Sequence, residues 1–247
     1  MVINDGLEKI DLTCFPNLRS LKLKYPSNKQ IRQLLQPGRL PCLEYLSLGS
    51  AADRSPSSMI VKLHRHLFSD GFPSIHSCFL TDTPDPMVTW SSSPGLLSLT
   101  LHGPVTLSVY SAVLEACPNL SRLTLNAFKD RSTASPMPSS RHSLRFLSIL
   151  ITKWSTNTMI DSLLTHVPAL EQFSVHIHPP VSKIDFSQLA SILLDRTPRL
   201  SRFDCDMMVY RYTIDTAVVH RLHPCFTRIK CCLEHGRFHI FTSNGGK

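Results

Sequence analysis

Glycine is scarce in this chain, with nine in 247 residues against eighteen prolines. The sequence also holds no P-loop, no G-x-S-x-G elbow and no H-E-x-x-H pair, so the familiar phosphate-cradling, serine-hydrolase and zinc-protease chemistries have no local signature. Long apolar runs are missing too. The segment Leu144–Ile151 falls far short of the ~18 apolar residues of a membrane span and is broken by Arg145. Met1–Gly6 lacks the basic and apolar regions of a secretory signal. Although the formal charge is +8, no run of Lys and Arg concentrates it, which points to a solvated basic surface, with nucleic-acid binding as the alternative. These absences lead us to expect a cytoplasmic or nuclear soluble protein with no enzyme activity, cofactor, metal or membrane contact.

Cysteine is present, but not as a disulfide framework. Among the eight, Cys78, Cys205 and Cys231 stand where the pattern described below elsewhere carries Leu, and are expected to be small buried apolar residues. The terminal group Cys231, Cys232, His235 and His239 invites a zinc reading. Four converging ligands are needed, however, and adjacent Cys231 and Cys232 must point to opposite faces of a strand. Ordinary burial is the expected role. The pairs His64/His66 and His176/His178 are set aside likewise, the first because residues two apart on a helix diverge.

What is present is a repeat. Cys117-Pro118-Asn119-Leu120-Ser121-Arg122-Leu123-Thr124-Leu125 reads as Pro, any residue, then L-x-x-L-x-L. That spacing suits a short strand with apolar side chains on one face. The unit recurs from Pro16, Pro41, Pro73, Pro94, Pro118, Pro168, Pro198 and Pro224, and once more with His142 in place of Pro. Its first apolar positions are separated by 25, 32, 21, 24, 24, 26, 30 and 26 residues. Periods of this size predict a solenoid in which each strand returns through a helix or a looser segment. Five connectors carry helical i, i+3, i+4 apolar spacing: 27–36, 57–69, 106–117, 156–167 and 185–197. Thr156 or Asn157 is a candidate N-cap of the fourth, and Asp185 of the fifth. Two connectors, 81–93 and 129–140, are rich in Pro and Ser and are expected to be irregular loops. The stretch Leu7–Leu12 repeats the strand spacing without its Pro and is expected to be an edge strand.

The units Phe15–Leu23, Leu40–Leu48 and the one at Pro118 resemble the repeat domain of F-box leucine-rich-repeat proteins. The resemblance implies an α/β leucine-rich-repeat solenoid, or horseshoe. A curved parallel sheet would form its concave face, with helices and irregular loops on the convex face. Residues 1–15 would be an N-terminal edge strand or cap, 16–231 nine repeats, and 232–247 a C-terminal cap or tail, all in one domain. The ninth position of the units shows Pro26, Thr83, Pro104, Phe128 and His178 rather than an Asn ladder, which matches the intracellular type. In that family the repeats bind a protein substrate as part of a ubiquitin-ligase receptor. The Skp adaptor and cullin are expected as partners only if an F-box lies upstream, since fewer than twenty residues precede the first repeat. A free-standing repeat scaffold is the alternative.

The candidate binding residues lie between the repeat leucines, where side chains face away from the core. They are Lys22, Tyr45, Phe79, Thr100, Arg122, Phe146, Gln172, Arg202, Asp204 and Arg228. Among them Tyr45, Phe79, Arg122, Phe146 and Arg202 are the expected anchors, because aromatic and Arg side chains supply most binding energy at protein interfaces.

Overall fold

The computed structural model describes residues 2–3, 11–36, 38–49, 58–82, 90–129, 141–153, 157–181, 184–210 and 214–243. It is an α/β structure with a mostly parallel, open sheet arrangement and, among the described residues, six α-helices. No helix among these residues is long and apolar enough to cross a membrane. The chain divides into two compact units, one built on Met1–Ser121 and one on the described residues from Arg122 onward.

The first unit contains β1 (Val2–Ile3), β2 (Ser20–Leu23), α1 (Asn28–Leu34), β3 (Tyr45–Leu48), α2 (Ser58–Leu67), β4 (Ser77–Leu80), β5 (Ser98–Leu101) and α3 (Leu107–Ala116). Its five strands lie side by side in sequence order, every pair parallel. The register stacks Leu21, Leu46, Cys78 and Leu99 in one row and Leu23, Leu48, Leu80 and Leu101 in the next, all buried. Helix α1 begins at a capping box: Gln30 N–H donates to the Ser27 side chain, and the Ser27 N–H donates to Gln30 Oε1. Helix α2 buries Ile60, Leu63, His64 and Leu67 on one face, the spacing that predicts it.

The second unit contains β6 (Arg122–Lys129), β7 (Phe146–Lys153), α4 (Asn157–Leu164), β8 (Gln172–Val181), α5 (Phe186–Arg196), β9 (Arg202–Tyr210), α6 (Thr216–Leu222), β10 (Ile229–Glu234) and β11 (Arg237–Thr242). Strands β6 to β9 are parallel neighbours. Their equivalent core row is Leu123, Leu147, Phe173 and Phe203, again buried. Phe203 lies 5.8 Å from Phe173 and 5.3 Å from Phe226 between ring centroids, so this row is filled with aromatics where the first unit uses Leu and Cys. Asp185 accepts from Gln188 N–H as the N-cap of α5. Asn157 is the first residue of α4 rather than its cap. Its amide donates to Asp185 O and Gln188 Oε1, and so ties α4 to the start of α5. Thr156 lies outside the described residues.

The repeated prolines have a common job. In each of the eight units that begin with Pro, the residue before it accepts a hydrogen bond from the N–H of the first repeat apolar residue, as in Leu120 N–H to Cys117 O at 3.0 Å and Leu170 N–H to Val167 O at 3.1 Å. Pro therefore sits at the second position of a four-residue turn, where its fixed φ is already correct. A second hydrogen-bond pattern recurs at the residue after the first repeat apolar position. The carbonyl of Arg19 accepts from both Glu44 and Tyr45 N–H, Glu44 from His76 and Ser77, His76 from Leu97 and Ser98, Arg145 from Glu171 and Gln172, and Glu171 from Ser201 and Arg202. In these five repeats a single carbonyl thus clamps the entry of the next strand.

Two expectations need correction, and one helix has to be added. The last repeat strand does not join the parallel set. Strand β11 pairs antiparallel with β9, β10 pairs antiparallel with β11, and the order is β6-β7-β8-β9-β11-β10. The reason is local. His235 and Gly236 both take positive φ, 49° and 74°, and make a tight two-residue hairpin turn that holds β10 and β11 together. The N-terminal strand is Val2–Ile3, whereas Leu12 lies in a short 3-10 turn, Leu12–Cys14; residues 7–10 are outside the described set. Helix α6 has no counterpart among the helices expected from the sequence; it is capped by Asp215 and has Val219 and Leu222, three apart, on its inner face. Of the two connectors expected to be irregular, residues 83–89 of 81–93 and residues 130–140 of 129–140 lie outside the described residues.

Candidate functional site

Because strand side chains alternate, burying the leucines turns every residue between them to the open side of the sheet. Parallel pairing then lines these residues up in rows. In the first unit Lys22, Ser47, Phe79 and Thr100 are directly opposed, beside the row Ser20, Tyr45, Ser77 and Ser98. In the second unit Arg122, Phe146, Gln172 and Arg202 form one row, and Thr124, Ser148, Ser174 and Asp204 the next. Nine of the ten expected residues therefore stand on open-face strand positions, all exposed or half-buried. Arg228 does not. It ends the 3-10 turn Pro224–Arg228 and donates through Nη2 to Ser243 O at 2.7 Å.

The anchors already engage one another. The Arg122 guanidinium lies over the Phe146 ring, 4.9 Å from its centroid, in a cation–π contact between neighbouring strands. Arg202 Nε donates to Asp204 Oδ2 at 2.6 Å, and Arg228 Nη1 stands 3.8 Å from Asp204 Oδ1. Thr242 Oγ1 adds a hydrogen bond to the same carboxylate. Asp204 is thus a hub for two cations. The phenyl ring of Phe79 packs at 5.9 Å against His102.

The longer strands of the second unit extend this face by two further rows, which frame an open depression of about 560 Å³. Its walls include Asn126, Leu150, His176, His178, Asp206 and His239. His176 sits between Ser174, whose Oγ is 3.1 Å from Nε2, and Asp206, whose Oδ2 is 3.9 Å from Nδ1. The atom order is that of a nucleophile–base–carboxylate relay, but the second gap exceeds a hydrogen bond, and Asp206 Oδ1 is engaged by His239 Nε2 at 2.9 Å. His239 Nδ1 in turn lies 3.3 Å from Glu234 Oε1, which also accepts from Cys232 Sγ at 3.2 Å. Partial burial works against charging His239, but the hydrogen bonds to Asp206 and Glu234 prevail and raise its pKa.

Sequence reasoning reached Cys232 and His239 but missed Glu234, Asp206 and the Ser174–His176 contact. The hairpin register brings Cys232 opposite His239, and the β9–β11 pairing brings His239 beside Asp206. Neither pairing has a signal in the repeat pattern, because the pattern implies a parallel ninth strand. His64, by contrast, is buried in α2, where desolvation lowers its pKa to about 4, and His66 packs edge-on against Phe72. No protein-family model matches the chain, and no curated protein matches it either.

Proposed function

We propose that this chain is a leucine-rich-repeat, protein-binding module that grips a protein partner on the open face of its strands, similar to the substrate-recognition part of F-box repeat proteins. The observation that carries this reading is the register. Nine strand residues picked for their place between repeat leucines fall into rows on the uncovered side of the sheet in each unit. The chain does its work by positioning: Arg122 with Phe146, Arg202 with Asp204, and Tyr45 and Phe79 provide affinity, and no bond is made or broken. Six strands about 4.8 Å apart, with lengths near 3.3 Å per residue, give the second unit a face on the order of 600 Å², close to the ~800 Å² each partner contributes to a specific complex.

Carboxylates in the same rows disfavour nucleic acid as the partner. Asp204 neutralises Arg202 and Arg228, and Asp206 lies two residues further along β9. A phosphate backbone would meet both. On this reading, an upstream F-box, where one exists, would bring the Skp adaptor and cullin to the captured protein.

The test is comparative affinity capture from cell lysate, using the full chain, the open-face variant R122A/F146A/R202A and a helix-face control, L194A/V218A. Proteins recovered by the wild type and the control but lost with the open-face variant support the reading. Identical recovery by all three sinks it. Binding of RNA or DNA whose affinity falls steeply between low and high salt would replace it with a nucleic-acid function.

A further inference from the structure

At the far end of the second unit, Cys232, Glu234 and His239 offer a thiol, a carboxylate and an imidazole whose donor atoms all lie within 4.8 Å of one another. The hairpin fixes this convergence. The two-residue turn at His235 and Gly236 sets the register so that Cys232 faces His239, with Glu234 two residues beyond Cys232 on the same side of β10. Zinc bonds of about 2.0–2.3 Å at tetrahedral angles set neighbouring donors roughly 3.3–3.5 Å apart. Glu234 Oε1 stands 3.3 Å from His239 Nδ1 and 3.2 Å from Cys232 Sγ, close to that spacing before any metal is considered.

The surroundings match as well. A zinc-binding histidine commonly donates its other ring N–H to a carboxylate, which fixes the tautomer and turns the free nitrogen to the metal. Asp206 stands in that place, with Oδ1 at 2.9 Å from His239 Nε2. All three donor residues are half-buried, so solvent reaches the group and a water molecule can complete a four-ligand shell. From these features we infer that Cys232, Glu234 and His239 bind one zinc ion, with Asp206 as the positioning residue behind His239. Binding displaces the proton on Cys232 Sγ and any proton on His239 Nδ1 into solvent, leaving a thiolate and a neutral imidazole as ligands. The ion spans β10 and β11 and locks the C-terminal hairpin. This inference stands apart from the protein-binding reading and does not depend on it.

The experiment titrates zinc sulfate alone into the full-length, reduced chain against a chromophoric chelator, with thermal melts and circular dichroism on every variant. The wild type is expected to bind one zinc with micromolar or tighter affinity and to melt at a higher temperature with zinc than without. C232S, E234Q and H239A should each lose at least ~100-fold in affinity and the zinc-dependent rise in melting temperature, and D206N should lose on the order of 10- to 100-fold. Cobalt(II) in place of zinc should give a thiolate charge-transfer band that is absent from C232S. Because E234Q keeps an acceptor for the Cys232 hydrogen bond, it guards against a variant that simply misfolds. No binding tighter than about 100 µM, or binding that the folded E234Q and C232S variants leave unchanged, overturns the site.

Discussion

The two units use the same repeat to different ends. In the first, β2 to β5 are each four residues long, so every strand presents only two open-face positions, and these are mostly Ser, Thr and single larger residues such as Lys22, Tyr45 and Phe79. In the second, β6 to β9 run eight to ten residues and add rows bearing His176, Asp206 and, through the hairpin, His239. Strand length thus decides how much chemistry a repeat can display. Four residues at about 3.3 Å each make a ledge roughly 13 Å deep, and nine make one near 30 Å. The wider ledge holds the depression, the Asp204 hub and the Cys232–Glu234–His239 group. The core follows the same division, with Cys78 in the first unit at the row position that Phe173 and Phe203 fill in the second.

That core difference makes the sharpest prediction. Phe203→Ala removes a fully buried ring from the cluster with Phe173 and Phe226 and should cost about 3–5 kcal/mol. Cys78→Ala, at the equivalent row in the first unit, should cost about 1 kcal/mol, because one sulfur is all it loses. Urea denaturation of both variants checks the ratio. Equal losses would mean that the aromatic filling of the second unit adds nothing over a smaller side chain.

The first unit, in turn, carries a pH sensitivity in its core. His64 is buried and neutral, and its pKa, lowered to about 4 by desolvation, lies below the unfolded value near 6.5. Between these values the unfolded chain binds a proton that the folded chain refuses. Stability is therefore full above pH 6.5 and declines as the pH falls toward 4, by up to about 3 kcal/mol. In His64→Leu the part of the acid sensitivity between pH 6.5 and 4 that His64 causes should vanish, which denaturation midpoints at pH 7, 5.5 and 4.5 will show. An unchanged slope would place the sensitivity elsewhere.

The comparison also explains what the sequence could reveal. Eight Pro-led units and their leucine spacing were readable because one turn and one strand recur with the same residues at the same places. Leu21 and Leu147, far apart in sequence, meet the same demand and carry the same signature. The five helices expected from apolar spacing all formed, and Asp185 caps α5 as expected. The hairpin was not legible, since Phe226, Ile229 and Cys231 satisfy the repeat spacing while the deciding feature is a turn at His235–Gly236 outside it. Once β11 lies against β9 by antiparallel pairing, Asp206, Glu234 and His239 meet through contacts more than thirty residues apart on one side. Arg228 was misplaced for the same reason, as it was assigned to an open-face strand position that the chain never builds.

The smallest predicted effect, that of Pro118→Ala, belongs to a contrast between the two units at the turn itself. At Pro118 in the first unit, the ring pre-sets φ for a turn that other residues also adopt, so Pro118→Ala should cost about 0.4–1 kcal/mol through the freer unfolded chain. Repeat logic alone would then say that His142, which holds the Pro position in the second unit, should become more stable as Pro. The hydrogen bonds say otherwise. His142 donates its backbone N–H to His166 O at 2.7 Å, and its Nδ1 accepts the Leu144 N–H at 3.0 Å. Proline has neither group, so His142→Pro strands a carbonyl and an amide at a buried position and should destabilise by roughly 1–3 kcal/mol. Paired melts of Pro118→Ala and His142→Pro read both signs at once. If His142→Pro stabilised the chain, the turn's fixed φ would outweigh two buried hydrogen bonds, and the sixth unit would have to be regarded as an ordinary repeat with a missing proline.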